Sequence, residues 1–366
     1  MAYVVVKAFG KTTLGLTYSL VFAEALLAPT IPSVAARAGG IFLPLARALC
    51  QACGSDPADG TEKKMGSYVM ATCFQTSCVS SAMFITAMAA NPLSVNLAQA
   101  VLNYQISWGS WALAALVPGL VCLAGVPLLL YAFYSPQSKD ASKAVEHAEK
   151  ELEKLGPRSK TEEITTYAIA STMALWIFGG TFGINSVCAA LTGLSILLIG
   201  NVISWNECTG NSAAWDTFMC IAAVTAMTSY LNSLGFIQWF SQKVVEIIGT
   251  VTLSWQESFI LICGAYFYTH YFFASGAAHI AAMYPAFLSV CGACGVPLQM
   301  AALALGQLTD LMGCLTTYGI GSAPVYFAAG YVPQSDWLKY GCISSVFYLV
   351  VWLGLGGAWW KVLGLY

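Results

Sequence analysis

A short serine motif with a cationic side chain four residues on, separated only by small or apolar residues, appears as Ser33-Val34-Ala35-Ala36-Arg37 and again as Ser275-Gly276-Ala277-Ala278-His279. Both copies lie between apolar runs, and each is followed by a proline, Pro44 and Pro285. A serine hydroxyl and the free N–H groups of a helix start can hold a carboxylate, and the helix dipole favours its negative charge. The chemistry on offer is anion binding, with Arg37 and His279 balancing a dianion held between the two copies. A charged side chain in mid-bilayer costs about 2.5–3.5 kcal/mol, so two cations at matching positions argue for use. The small residues Ala35, Ala36, Gly276, Ala277 and Ala278 allow an anion to reach the backbone. The match continues downstream: Gln75 precedes Pro92 of Asn91-Pro92 by seventeen residues, and Gln307 precedes Pro324 of Ala323-Pro324 by seventeen. Asn91, Thr316, Thr317 and Ser322 supply polar groups at these two further breaks.

The elements that must position these residues are membrane helices. The chain is 58% hydrophobic and 9% charged, against about 25% charged residues in ordinary soluble domains. Stretches near 67–90, 108–134, 166–183, 185–204, 213–236 and 341–364 are long enough to cross about 30 Å of hydrocarbon. Others are interrupted at mid-depth. Residues 13–50 break at Pro29, Pro32 and Ser33, and residues 256–292 break at Ser275-Gly276, so each predicts a re-entrant hairpin with a polar tip. Residues 67–103 break at Asn91-Pro92, and residues 297–333 break between Thr316 and Pro324. Irregular backbone at membrane depth survives only where protein or a wet cavity satisfies it. The expected fold is all-α: a polytopic membrane transporter with inverted repeats, two re-entrant hairpins and broken helices.

The first repeat is expected over 1–134, with a hairpin at 13–50, a broken helix at 67–103 and a span at 108–134. A polar connection follows over 135–165. It carries six of the fifteen Lys and Arg residues and is placed on the cytoplasmic or stromal side by the positive-inside rule. The second repeat fills 166–366: scaffold spans over 166–236, a hairpin at 256–292, a broken helix at 297–333 and a span at 341–364. Lys243 to Gly249 precedes the second hairpin much as Val4 to Gly10 precedes the first. Three spans come before that point in the second half and none in the first, so the first repeat is expected to lack three N-terminal spans. No signal or transit peptide is visible.

Other candidate groups have plainer readings. Glu24 can pair with Arg37 or Arg47, and Asp310 can ligate a cation or cap a half-helix. His270 reads as a packing or hydrogen-bonding residue. The thirteen cysteines include Cys50-Gln51-Ala52-Cys53 and Cys291-Gly292-Ala293-Cys294. No histidine or carboxylate cluster accompanies either pair, so they read as small packers, with no metal and no cofactor expected. The tryptophans Trp239, Trp255, Trp337, Trp352, Trp359 and Trp360 read as interfacial anchors and core. No basic tract points to nucleic acid, and no nucleophile–base pair points to an enzyme.

The chain resembles the divalent anion/sodium symporter family, and within it the plastid 2-oxoglutarate/malate translocators. The resemblance rests on Ala28-Pro29-Thr30-Ile31-Pro32-Ser33 with Ala36 to Ile41, on Ser81 to Phe84 with Thr86 to Pro92, and on His270 to Ser275 with Ala278-His279. Met283 to Phe287, and Leu311 to Thr316 with Tyr318 to Gly321, extend it over nearly the whole chain. It implies an elevator-like carrier in which two hairpins and two broken helices move against a dimeric scaffold. Sodium-coupled members carry Ser-Asn-Thr at each hairpin tip, where this chain has Ser33-Val34-Ala35 and Ser275-Gly276-Ala277. Loss of those oxygens weakens the case for sodium.

The resulting site expectation is Ser33, Val34, Ala35, Arg37, Asn91, Pro92, Ser275, Gly276, Ala277, His279, Thr316, Thr317 and Pro324, all binding substrate. The expected activity is sodium-independent exchange of 2-oxoglutarate for malate. The expected setting is the plastid inner envelope, with a bacterial plasma membrane as alternative; the expected partners are dicarboxylates, lipid and a second copy of the chain. A sodium- or proton-coupled dicarboxylate symporter and a truncated non-transporting membrane protein are the competing readings.

Overall fold

Capping side chains set where several helices begin. A computed structural model describes residues 2–236, 239, 243 and 254–366. Among these the chain is helical, with one isolated bridge between Thr12 and Asp140. After α1 (Ala2–Phe9), Thr12 accepts a bond from Gly15 N and opens α2 (Thr13–Leu27). A tight turn at Ala28–Thr30 ends α2, where Pro29 and Pro32 cannot continue the ladder. The chain reverses at Ser33 into α3 (Val34–Arg37), a π-helical turn (Ala38–Phe42) and α4 (Leu43–Ala52), completing the first hairpin. The second hairpin is α13 (Trp255–Thr269), a turn at His270–Phe272, and α14 (Gly276–Ala293).

Two broken helices cross at the centre. The first is α5 (Gly66–Met83) followed by α6 (Asn91–Leu102). The second is α15 (Leu298–Leu311), a turn at Met312–Leu315 and α16 (Ala323–Ala328). Every residue of α5 is buried, as are the last twelve of α15. The matched glutamines tie them to neighbouring helices. Gln75 Nε2 donates to Cys314 O at 3.3 Å, and Tyr348 OH donates to Gln75 O at 2.9 Å. Gln307 Nε2 donates to Trp111 O at 3.2 Å and accepts from Trp352 Nε1 at 2.9 Å. Each glutamine thus ties its own broken helix to the other half of the chain, Gln75 through Cys314 and Tyr348 and Gln307 through Trp111.

The long span α7 (Trp108–Phe133) keeps two internal prolines. Pro118 cannot donate to Ala114 O, and Trp360 Nε1 supplies the missing bond at 3.0 Å. A polar helix, α8 (Ser142–Leu155), packs its buried Ala144, Val145 and Ala148 against α1 and α4. Its ion pair to α1, Lys7 Nζ to Glu149 Oε1 at 3.4 Å, is half exposed and adds little to stability.

The next helix, α9 (Lys160–Phe178), starts six residues before the span expected from 166. The cause is a reciprocal cap: Ser159 Oγ accepts from Glu162 N, and Glu162 accepts from Ser159 N. The Ser159 N–H holds the Glu162 carboxyl below its ordinary value. A carboxyl lowered by folding stabilises above its unfolded value and loses that contribution as pH falls through the folded one. Hydrogen exchange in the first turn of α9 is therefore expected to rise on acidification below the usual carboxylate range, and E162Q, which has no carboxyl to titrate, is expected to remove that pH dependence.

The remaining elements are α10 (Ser186–Ile199), α11 (Trp205–Thr209), α12 (Ser212–Ser233) and α17 (Gln334–Leu349). The last passes through a π-helical stretch (Val350–Gly356) into α18 (Gly357–Val362). It starts at Gln334 because Pro333 ends the preceding loop. The stretch Lys243 to Gly249 that mirrors Val4 to Gly10 lies outside the described residues apart from Lys243. Helices long and apolar enough to cross a membrane include Trp108–Phe133, Leu298–Leu315 and Gln334–Val362.

Candidate functional site

Both hairpin tips and both helix breaks open onto one cavity of about 600 Å³. The first tip contributes Pro32, Ser33 and Val34, and the second contributes Ala274 to Ala277. The break between α5 and α6 adds Met88, Ala89, Ala90 and Pro92, and the break before α16 adds Ile320 and Gly321. Asn211 and Ala214, at the start of α12, close one side. A separate cavity of about 680 Å³ shares Pro92 and is lined by Asn96, Gln99, Gln105 and Asn185.

Among the described residues, the walls of the 600 Å³ cavity carry no charged side chain. Its polarity comes from serines and helix starts. Ser33 Oγ accepts from Ala36 N at 3.2 Å, which leaves its own O–H available. Ser275 precedes α14 without capping it, so the first-turn N–H groups of α14 have no side-chain partner. Gly276 keeps this approach open, since a Cβ there would lie 2.9 Å from Met88 Cε. Gly321 packs closely on the first tip, where a Cβ would lie 3.2 Å from Ala35 Cβ.

Of the residues expected to bind substrate, the structure brings Ser33, Val34, Pro92, Ser275, Gly276 and Ala277 to the cavity wall. Ala35 stands at the first tip beside Gly321. Asn91, Thr316, Thr317 and Pro324 belong to the two breaks but do not line the cavity. Asn91 Nδ2 instead donates to Ser81 O and Phe84 O, both at 3.0 Å, and ties α6 to the end of α5.

The structure places Arg37 outside the cavity wall. It is fully buried and pairs with Glu24, Nε to Oε1 at 3.1 Å. Its Nη1 donates to Ile31 O and Ala87 O, both at 2.9 Å, and its Nη2 donates to Ser81 Oγ at 2.7 Å. The guanidinium is neutralised and its donors are committed, so it stitches the first tip to the first break instead of facing a substrate. His279 also lies outside that wall. It is buried, its Nε2 lies 3.1 Å from Thr269 Oγ1, and it packs on Tyr266, His270 and Phe273 at ring distances of 4.6, 5.2 and 4.9 Å. Aromatic packing places it behind the second tip. His270 Nε2 lies 2.9 Å from Gly319 O and joins the second hairpin to the second break.

Sequence reasoning missed Pro32, Met88, Ala89, Ala90, Ala274, Ile320, Gly321, Asn211 and Ala214. The first seven adjoin tip or break residues already marked by proline or glycine, and that proximity could have found them. Asn211 and Ala214 come from the start of α12, distant in sequence from the tips, and no local pattern announces them. Among the described residues, no three His, Cys, Asp or Glu side chains are placed to hold a metal ion.

The profile of the sodium:sulfate symporter transmembrane region matches residues 1–366. The chain belongs to this family. It is an integral membrane protein of the family's all-helical kind. It is 56% identical over 366 residues to dicarboxylate transporter 1, chloroplastic, of Arabidopsis thaliana, and 56% identical to the Spinacia oleracea protein of the same name. All of the chain is covered, but it spans only 66% and 64% of those two relatives. It is 46% identical to the putative malate transporter YflS of Bacillus subtilis, covering 76% of that protein. Among solved structures, the Alcanivorax borkumensis YdaH transporter matches with a TM-score of 0.64 at 14% identity, over 99% of this chain and 81% of that one. That likeness concerns the fold.

Proposed function

We propose that this family member carries small dicarboxylates, exchanging 2-oxoglutarate for malate without sodium. The observation that carries the reading is the single cavity shared by both tips and both breaks. A short dicarboxylate can place one carboxylate at each tip, against a helix start and a serine hydroxyl. The relatives named as dicarboxylate transporters at 56% identity support the substrate class, and their plastid location supports an inner-envelope setting.

With Arg37 and His279 away from the cavity, the positive character of the site comes from helix starts, each equivalent to roughly half a charge. An empty cavity leaves those N–H groups without acceptors while it crosses the low-dielectric barrier, which is unfavourable. A bound dicarboxylate supplies the acceptors, so the loaded carrier moves and the empty one does not. That is exchange. Val34, Ala35, Gly276 and Ala277 offer no side-chain oxygen for sodium at the tips. The same reading has the carrier working as a dimer of two copies through its scaffold helices, which chemical crosslinking in membranes checks.

Counterflow in proteoliposomes tests the exchange. Labelled 2-oxoglutarate is expected to enter vesicles preloaded with malate, in choline as well as in sodium medium, and to stay outside empty vesicles. Net uptake that needs sodium and no internal substrate would reject the reading.

A further inference from the structure

We propose that the 680 Å³ cavity is a second, weaker dicarboxylate site: an antechamber through which substrate reaches the two tips from the membrane face opposite the polar connection. Pro92 lines both this cavity and the one at the tips. Val95, Asn96 and Gln99 follow Pro92 along α6 by three, four and seven residues, so the four share one helix face. All four line the antechamber. At a rise of about 1.5 Å per residue, Gln99 stands about 10 Å along α6 from Pro92. The other side of α6 is buried through Leu93, Ser94, Leu97 and Ala98. A polar stripe leading outward along a helix at membrane depth needs water or a ligand beside it.

Helix ends remote from the polar connection close this cavity. α7 has 26 residues, a length of about 39 Å. Its last turn runs into the connection, which is held beside the start of α5: Gln137 N donates to Lys63 O at 3.3 Å, and Ser138 N to Lys64 O at 2.8 Å. Its first residue, Trp108, lines the antechamber. α9 leaves the connection at Lys160 and brings Trp176 to the same cavity, where Asn185 and Ser186 open α10. Trp108 and Trp176 stack with ring centres 6.0 Å apart. Their indole N–H groups donate to Thr86 Oγ1 at 3.2 Å and to Ser186 O at 3.0 Å, which fixes both rings as a wall. The antechamber therefore runs from the break at Pro92 to the face away from residues 135–165.

The ligand class rests on the dicarboxylate reading above, and the chemistry of the wall agrees with it. Among the described residues the antechamber has no charged side chain, so nothing repels a dianion. Asn185 Oδ1 is spent on Val187 N at 2.8 Å, which leaves its side chain only N–H groups to offer. The first turn of α10 carries no acidic residue, and its dipole end favours negative charge. Asn96, Gln99 and Gln105 add neutral amide donors. The volume falls within the range of about 300–1,000 Å³ typical of small-molecule sites. Neutral amides hold an anion less firmly than the two helix starts at the tips, and a weaker site lets the substrate move on.

Labelling of Q99C by a membrane-impermeant thiol reagent, added outside sealed proteoliposomes of the full chain, tests both parts. The label is read on the peptide that carries the substitution, because the chain holds thirteen native cysteines. Added trypsin cuts at the exposed Arg158 and Lys160 in chains whose polar connection faces outward, and so sorts the chains by orientation. Label is expected on the uncut chains. Label on the cut chains instead, on both alike or on neither overturns the route. Malate is expected to slow this labelling about tenfold once about nine-tenths of the antechambers are filled, at concentrations above those that fill the tips. Adding G276L separates the two sites. In Q99C/G276L, where the second tip no longer holds a carboxylate, the protection is expected to persist at the same malate concentrations. Loss of protection in that double variant traces the effect to the tips and overturns the antechamber. Malate counterflow with no protection in Q99C also overturns it and leaves the tips standing. Protection without counterflow keeps the antechamber and sinks the exchange reading instead.

Discussion

Replacing Arg37 by alanine is expected to unfold the first hairpin from the bundle, not to weaken substrate binding selectively. Glu24 and Arg37 have side-chain exposures of 5% and 0%. Removing one member of a buried pair strands the other and costs about 3–5 kcal/mol. Arg37 also serves Ile31 O, Ala87 O and Ser81 Oγ, and those acceptors lose their donor with it. R37A and E24A are each expected to lower the melting temperature in detergent sharply. The double variant E24A/R37A should lose clearly less than the two single losses added, because no uncompensated charge remains. A double-mutant cycle on melting gives that coupling directly. Malate affinity of whatever R37A remains folded should stay near that of the unsubstituted chain. If R37A melts normally and binds no malate, the guanidinium reaches the substrate in another state, and the buried-pair account fails.

That pair also shows where sequence reading stops. The helical membrane fold could be read because its signals are local: long apolar runs, and breaks at Pro32-Ser33, Ser275-Gly276, Asn91-Pro92 and Ala323-Pro324. The repeat of those breaks pointed to four irregular segments near one site, and six of the residues chosen line one cavity. Side-chain direction is not a local property. Arg37 sits at the right place in the repeat, yet Glu24 on the preceding arm captures it. Spacing alone left Arg37 and Arg47 both open as partners for Glu24. His279 matches Arg37 in position, but whether it meets a ligand or rings depends on Tyr266, His270 and Phe273 packing around it. The start of α9 was missed for another reason. A polar stretch can carry a membrane helix into water when a cap such as Ser159 with Glu162 opens it. Pro118 within α7 is tolerated because Trp360, far away in sequence, supplies a donor to Ala114 O.

Gly276→Leu is expected to give the largest loss of substrate binding of any single change at the tips. The glycine opens α14, and its own N–H and that of Ala277 belong to the uncapped first turn. A β-carbon alone would lie 2.9 Å from Met88 Cε, at the flexible end of a side chain that can yield. The rest of a leucine must then extend into the cavity, over the N–H groups that a carboxylate would use. Hydrogen bonds to a charged group contribute about 1.5–3 kcal/mol each. Losing two costs about 3–6 kcal/mol, which corresponds to roughly 10²- to 10⁴-fold in affinity. Gly264, in the arm leading to the same tip, provides the control, because a Cβ there meets nothing within 4 Å. G264L should therefore bind malate like the unsubstituted chain, measured by calorimetry on detergent-purified protein. Both variants should melt close to the unsubstituted chain, since neither buries a charge nor forces backbone against backbone. If G276L binds malate with unchanged affinity, the second tip does not hold a carboxylate, and the two-tip account of the cavity is wrong. If G276L loses binding while S275A retains it, the backbone N–H groups hold the anion and the serine hydroxyl is dispensable.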